Sequence, residues 1–349
     1  MFVRRFSSAV LSLLLVSFPA GSSAQTSGKK THSSKTQKNS AQEKKKSLQA
    51  ARKLGHIKRA FVASADLRLM AQQLLENRTP QAYAGVQAYA RKHAKDDAGP
   101  LAWLVIGYAH YQDRDFVSAR SALERTSALE PLLGDYLAYI QALAYQGEND
   151  AAAVVKTLSG FEAKYPDSLE AHDVALLYAS ALMATHEPQQ AAEYLEKHRQ
   201  PVKSDIEITL GRAYLAAGEK DKATEIFRKI YFEMPTSAEA DPAALELRGM
   251  GETPPTGSFD QRHTRVGLLS KAKKHQEALD ELSPLVEQAP PDKLIALQTE
   301  FATALYRVHK RDEAQHLFES ILQNQAAGVD AKAQSLYFLA EIARDKDDG

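Results

Sequence analysis

The chain contains no cysteine, which excludes disulfide frameworks, cysteine zinc sites, thiol catalysis and a lipid-modified amino-terminal cysteine together. No apolar run beyond the amino-terminal segment approaches the roughly 20 residues that a membrane-spanning helix needs, so no span is expected. Net charge is missing as well, with 44 basic and 44 acidic side chains in balance. What is present is 349 residues, 44% apolar and 25% charged, proportions that suit a folded chain of two or three domains held by packing alone.

The amino terminus carries a targeting pattern. Arg4 and Arg5 precede an apolar run from Ala9 to Phe18, and Pro19 leads to Ser22, Ser23 and Ala24, small residues of a secretory cleavage site. Residues 1–24 are read as a signal peptide cleaved after Ala24, which predicts an exported, periplasmic protein. Residues 25–61 form a basic low-complexity tether. Between 25 and 48, Lys29, Lys30, Lys35, Lys38, Lys44, Lys45 and Lys46 face only Glu43, a local charge of +6, and almost nothing apolar offsets the entropy of ordering them. Removing these residues together with Arg4 and Arg5 leaves 35 basic against 43 acidic residues from 49 to 349. That acidic balance argues against a nucleic-acid partner.

From residue 62 onward apolar residues recur at helical spacing, as in Leu67, Met70, Ala71, Leu74 and Leu75, and alternating strand patterns are lacking. An all-α fold follows. One pattern then appears twice with identical offsets. Trp103, Ile106, Gly107, Ala119, Leu123 and Pro131 are matched by Glu207, Leu210, Gly211, Ala223, Phe227 and Pro235, with Tyr214 three residues beyond the second glycine. Pro131, Pro166, Pro201 and Pro235 mark the intervening periods at 35, 35 and 34 residues. The pattern resembles the tetratricopeptide repeat, a helix pair with small residues at fixed positions and a closing proline. The copy at Gly211 lacks only the leading Trp, and the copy at Gly107 has His110 where a Tyr is usual. Weaker copies run through Tyr145, Leu158 and Pro166, through Ala278, Leu282 and Pro290, and through Ala302, Ala314 and Phe318. An early degenerate pair spans roughly 62 to 96, with Thr79 placed to cap a helix that has Pro80 in its first turn.

The spacing has a mechanical rationale. Where the two helices of a pair cross, Gly107 and Gly211 are expected to face the methyls of Ala119 and Ala223, with Leu123 and Phe227 filling the space one turn on. Proline is expected to end the second helix, since it supplies no amide for the next bond. One pair of this size would lose about 1.5 kcal/mol of chain entropy per residue, more than a single amphipathic face returns, so neighbours must stack. The expected architecture is a right-handed superhelical solenoid of tetratricopeptide-like helix pairs over 62–248 and again over 263–349. The register breaks once, because Pro235 and Pro290 are 55 residues apart and Gly251, Pro254, Pro255 and Gly257 punctuate the surplus. An inserted loop is placed at 249–262, as a joint between two sub-stacks. Ala331 to Ala343 reads as the first helix of a further, incomplete pair, with Leu336, Leu339, Ala340 and Ala343 on its packing face. The chain is thus expected to be a piece of a longer protein.

Catalytic patterns are missing. The eleven histidines are scattered with no H-E-x-x-H, and Gly-rich phosphate loops and G-x-S-x-G elbows are lacking. No catalytic residue, cofactor-binding residue or metal ligand is assigned, and no cofactor is expected. The charge runs at Asp96-Asp97, at 271–274 and at 344–348 read as solvated surface.

One further resemblance bears on function. Leu67 to Leu75 with Arg78-Thr79-Pro80, the Ala82 to His93 helix, the Asp113-Arg114-Asp115-Phe116 turn, and above all Phe227 to Pro235 followed by Ser237 and Ala238 resemble the superhelical amino-terminal region of bacterial soluble lytic murein transglycosylases. The resemblance covers about 62 to 349. It implies a role in peptidoglycan turnover, since that family cleaves glycan strands between N-acetylmuramic acid and N-acetylglucosamine with a single Glu in a lysozyme-like domain that follows the helical array. Here Glu319-Ser320 is not followed by that domain's motif, so no catalytic residue carries over. Two functions remain from this reading: the non-catalytic part of such an enzyme, facing peptidoglycan glycan strands, or a stand-alone adaptor for envelope proteins and peptides.

Overall fold

The computed structural model describes residues 65–252 and 255–347. The leader and tether expected over 1–61 lie outside the described residues. Within them every regular element is helical, and the fold is an all-α array of tetratricopeptide-like helix pairs. The chain divides into two compact units, 1–177 and 178–349.

The first unit begins with α1 (Ala65–Asn77) and α2 (Pro80–Lys92). The Thr79 side chain accepts the Ala82 amide at 3.2 Å and Pro80 opens the helix, as the sequence predicts. Next come α3 (Ala98–Gln112) and a short α4 (Phe116–Leu123) that tightens into a 3-10 turn over Glu124–Leu129. These lead to α5 (Glu130–Gly147), α6 (Ala151–Leu158) and α7 (Phe161–Lys164). Helix α8 (Ala171–Ala184) starts in the first unit and ends in the second. In the first unit Leu67, Leu74, Val86, Ala90, Ala102, Ile106 and Ala109 bury together as one core.

The second unit continues with α9 (Pro188–Lys197), α10 (Ser204–Ala216), α11 (Lys220–Glu233) and α12 (Ala240–Gly249). It closes with α13 (Phe259–Lys271), α14 (His275–Glu287), α15 (Leu294–Arg307), α16 (Arg311–Gln323) and α17 (Val329–Asp347). Ala278, Leu282, Ala302, Ala314 and Phe318 of the weaker copies are all buried in its core.

One turn joins the helices of the pairs. Arg114, Asn149, His186, Gly218, Lys273 and His309 each adopt a positive φ of 60° to 84° just past the first helix. The amide of each bonds the carbonyl three residues back, and the next amide reaches five back, as in Asp115 to His110 at 2.9 Å and Lys310 to Leu305 at 3.0 Å. This is the doubly bonded left-handed cap that satisfies a helix's last carbonyls. Asp115 and Asp150 then cap the following helix through Ser118 and Ala153 at 3.1 and 2.9 Å.

The structure revises four expectations. At the helix crossings the glycines face Leu123 and Phe227 directly rather than the alanine methyls. A Cβ on Gly107 would stand 2.8 Å from Leu123 Cγ, and one on Gly211 would stand 2.5 Å from Phe227 Cε1. Pro131 does not end a second helix. It lies in the first turn of α5, where its missing amide costs nothing, whereas Pro166, Pro201 and Pro235 do sit in the connections after second helices. Within 249–262, α12 extends to Gly249 and α13 starts at Phe259, because Ser258 and Gln261 form a reciprocal capping box. Helix α17 packs through Ser335, Phe338, Leu339 and Ile342 and leaves Leu336, Ala340 and Ala343 exposed, so of the face expected to pack only Leu339 does.

Candidate partner-binding face

The repeat positions hold the helix pairs together. Gly107, Ala119 and Leu123 meet where α3 crosses α4, and Gly211, Ala223 and Phe227 meet where α10 crosses α11; the two alanines, Leu123 and Phe227 are fully or almost fully buried. Leu210 is buried beside Gly211. Trp103 is half-buried on α3 with the Arg125 guanidinium 4.4 Å from its ring centroid. The Tyr214 hydroxyl donates to Glu196 at 3.0 Å. Pro235 is buried in the connection after α11, whereas Pro131 is exposed in the first turn of α5 and stands apart from these contacts.

A different set of residues gathers within the first unit. Helix α3 contributes Tyr108 and Tyr111, whose ring centroids are 6.5 Å apart. Helix α5 contributes Asp135, Tyr136 and Tyr139, and the start of α8 contributes Glu170 and Asp173. These groups feel one another's charge. Burial pushes the Tyr136 phenol well above its ordinary value, with Tyr108, Glu170 and Tyr139 adding to the rise. Burial likewise raises Tyr139, helped by Asp173, Glu170 and Tyr111. Glu170 is half-buried, and that burial raises its carboxyl, with Asp173 and Asp135 pushing the same way. Burial also raises Tyr108, against the pull of Gln112 and Arg78.

The Tyr136 hydroxyl is buried with no hydrogen-bond partner, and the Tyr108 hydroxyl is buried close to the Gln112 side chain. Among the described residues, neither the Glu170 nor the Asp173 carboxylate meets an arginine or lysine within ion-pair distance. Carboxylates without a cationic partner keep their charge uncompensated, so what this face presents to solvent is the negative polarity of Glu170 and Asp173 next to aromatic rings. Chemically it accepts hydrogen bonds and positive charge. The phenols stay protonated, and no nucleophile stands beside a base there. No group of three or more histidine or carboxylate side chains among the described residues is arranged to hold a metal ion.

Its neighbours are satisfied by contrast. At one edge Arg78 pairs with Asp113 at 3.1 Å and donates to Gln112 at 2.7 Å, while Tyr83 donates to Asp113 at 2.8 Å and stacks on His110 at 4.4 Å. A groove of about 750 Å³ lies elsewhere in the first unit, lined by Arg120, Glu124, Glu130, Lys156, Lys164 and Tyr165 among others. Its charges largely cancel internally, since Lys164 sits 2.7 Å from Glu130 and Arg120 sits 3.8 Å from Glu124.

The tyrosine and carboxylate face was not singled out by sequence reasoning. Its signal is the pair of Tyr-x-x-Tyr steps at Tyr108 and Tyr111 and at Tyr136 and Tyr139, each on the first helix of a pair.

No protein-family model matches the chain, and no curated protein matches it. Solved structures of helical-repeat proteins do. The chain is similar to the C-terminal part of a TPR repeat-containing protein from Cytophaga hutchinsonii, at 14% identity over 76% of this chain and 97% of that one, with a TM-score of 0.40. It is also similar to the TPR2AB domain of yeast Sti1 in its pHSP90 complex, at 14% identity over 70% of this chain and 98% of that one, TM-score 0.31. A third is Naa15/Naa10 bound to HypK-THB, at 13% identity over 78% of this chain and 38% of that one, TM-score 0.34. Nothing that those proteins bind is transferred at such identities.

Proposed function

We propose that the protein is an exported, periplasmic helical-repeat scaffold that holds an extended segment of an envelope protein against the first helices of its amino-terminal unit. One observation carries this reading: Glu170 and Asp173, half-buried beside the partly open rings of Tyr111 and Tyr136, meet no arginine or lysine of the described residues in ion-pair reach, whereas the charged groups around them are paired. Export is supported by the pattern of Arg4, Arg5, the apolar run from Ala9 to Phe18 and the small residues ending at Ala24. Two experiments test the proposal. Fusing residues 1–48 to a reporter active only outside the cytoplasm should give signal in a double-membrane bacterium; a silent fusion removes the periplasmic assignment. Selection of peptides on the purified chain should yield binders displaced by substitutions on this face; binders indifferent to them remove the scaffold's assigned surface.

A second reading places the array as the non-catalytic region of a lytic murein transglycosylase, facing glycan strands. It is supported by the Phe227 to Pro235 segment. Phe227, Ile230 and Phe232 of that segment are fully buried, so the likeness is one of packing. Sedimentation of the chain with purified murein tests it, and recovery only in the supernatant removes it.

A further inference from the structure

We propose that α17 is a self-association surface whose occupant is a second copy of this chain, seated antiparallel on it about a two-fold axis near Tyr337. This surface belongs to the second unit and is independent of the peptide-binding reading. The inner face of α17 packs into the core of that unit through Ser335, Phe338, Leu339 and Ile342. Its outer face is apolar. Val329 is 84% exposed, Leu336 58% and Tyr337 59%, and Ala333, Ala340 and Ala343 are exposed beside them. A helix at the edge of a repeat array needs a polar outer side to stand in water, and none of the described residues covers this one.

The spacing fixes the kind of occupant. Val329, Ala333, Leu336, Ala340 and Ala343 follow one another at 4, 3, 4 and 3 residues, the seam along which one helix packs on another in a coiled coil. The seam runs about 21 Å at the helical rise of roughly 1.5 Å per residue. The methyls of Ala333, Ala340 and Ala343 let a second helix come close, and Leu336 fills the space between them.

The charges beside the seam then select a copy of the same helix. Asp330 lies seven residues before Tyr337 and Arg344 seven residues after it, so all three share one flank. Asp330 and Arg344 are exposed, and Arg344 pairs with Glu341 of its own helix. A copy turned end for end about Tyr337 sets Arg344 opposite Asp330 on both sides of the axis, Leu336 against Ala340 and Ala333 against Ala343. It also opposes the two helix dipoles. A parallel copy aligns those dipoles and gives neither Asp330 nor Arg344 an opposite charge. The face is thus complementary to itself, as a two-fold interface requires.

Sedimentation equilibrium of the full chain tests the proposal. A seam of this length is at the small end of specific interfaces, so dimer is expected to form in the micromolar range and to predominate by about 100 µM. Leu336→Glu should weaken association roughly tenfold or more, because the dimer would bury an unpaired carboxylate. Asp330→Arg and Arg344→Asp should each weaken it severalfold, and the two together should restore it, since each copy then offers the opposite charge again. Circular dichroism checks that every variant folds. The chain has no cysteine, so Tyr337→Cys supplies its sole thiol, and oxidation should join two copies there. Val329→Cys, at one end of the seam, should stay unlinked. This pair of variants keeps the test decisive if a charge variant unfolds. A monomer at every concentration, a double charge swap no better than either single one, or linkage through Val329→Cys instead of Tyr337→Cys would overturn the inference.

Discussion

Arg199 grips Glu207 with both edges of its guanidinium, Nε at 2.6 Å and Nη2 at 2.7 Å from the two carboxylate oxygens. Glu207 is completely buried and occupies the position that Trp103 holds in the other clear copy of the repeat. The departure from the repeat pattern is thus compensated from outside its own helix, by a residue in the loop after α9. Lys229 adds a third contact at 3.7 Å. The Glu207 hydrogen bonds raise the Arg199 guanidinium further above its ordinary value, although its burial opposes them.

Removing one member of this pair strands a buried charge. Arg199→Met is expected to cost about 3–5 kcal/mol, whereas Arg199→Met combined with Glu207→Leu should recover most of that loss, because buried ion pairs exchange for apolar pairs at little net cost. Urea denaturation midpoints of the two variants check this. Equal destabilisation of both would mean that the carboxylate is not the source of the penalty.

The crossing of α10 and α11 makes a second prediction. Gly211→Ala should cost about 1–3 kcal/mol, the range for overpacking, since its new methyl would meet the Phe227 ring at 2.5 Å. Shortening the ring with Phe227→Leu in that background should return part of the loss, and thermal melts of the double-mutant cycle measure the coupling. Strict additivity would contradict direct contact.

The repeat was legible because it depends on residue size at fixed offsets: Gly107 with Leu123 and Gly211 with Phe227 leave the same signature in the sequence and in the core. The turns were not legible. Five of the six that share one geometry place Arg114, Asn149, His186, Lys273 or His309 at the left-handed position, and only Gly218 is glycine. The candidate face was hidden for a related reason. These turns recur at intervals of 35, 37 and 32 residues from Arg114 to Gly218, so no constant offset aligns Tyr108, Tyr136 and Glu170. Pro131 misled because a proline suits a helix start as well as a helix end, and the spacing alone does not distinguish them.

Those turns offer a third prediction. Lys273 is exposed and holds φ at 61°, a conformation that costs a side-chain-bearing residue roughly 1–2 kcal/mol. Lys273→Gly should therefore stabilise the protein by about 1 kcal/mol, because glycine removes the Cβ conflict and gives back only part of the gain as unfolded-state entropy. Lys273→Val should destabilise it. The reverse order in a chemical melt would contradict the turn geometry.

A fourth prediction concerns pH. Burial and the nearby Asp173 and Asp135 raise the Glu170 carboxyl in the folded chain above 4.5, its ordinary value. Between those two values the native state binds more protons than the unfolded state, so this group's contribution to stability declines as pH rises through the window. Glu170→Gln removes the contribution. The wild-type stability minus that of the variant should be largest on the acid side, where protonated Glu resembles Gln, and should decline toward neutrality. A flat difference would place Glu170 in water.

In the proposed function the face on α3, α5 and the start of α8 receives the partner. Amide hydrogen exchange of the full chain, with and without a library-selected peptide, tests this most directly. Protection is expected to increase over Tyr108–Gln112, Asp135–Tyr139 and Glu170–Val174, with the turn at Asn149 and the groove around Lys156 unchanged. Protection confined to that groove, or to the second unit, would contradict it.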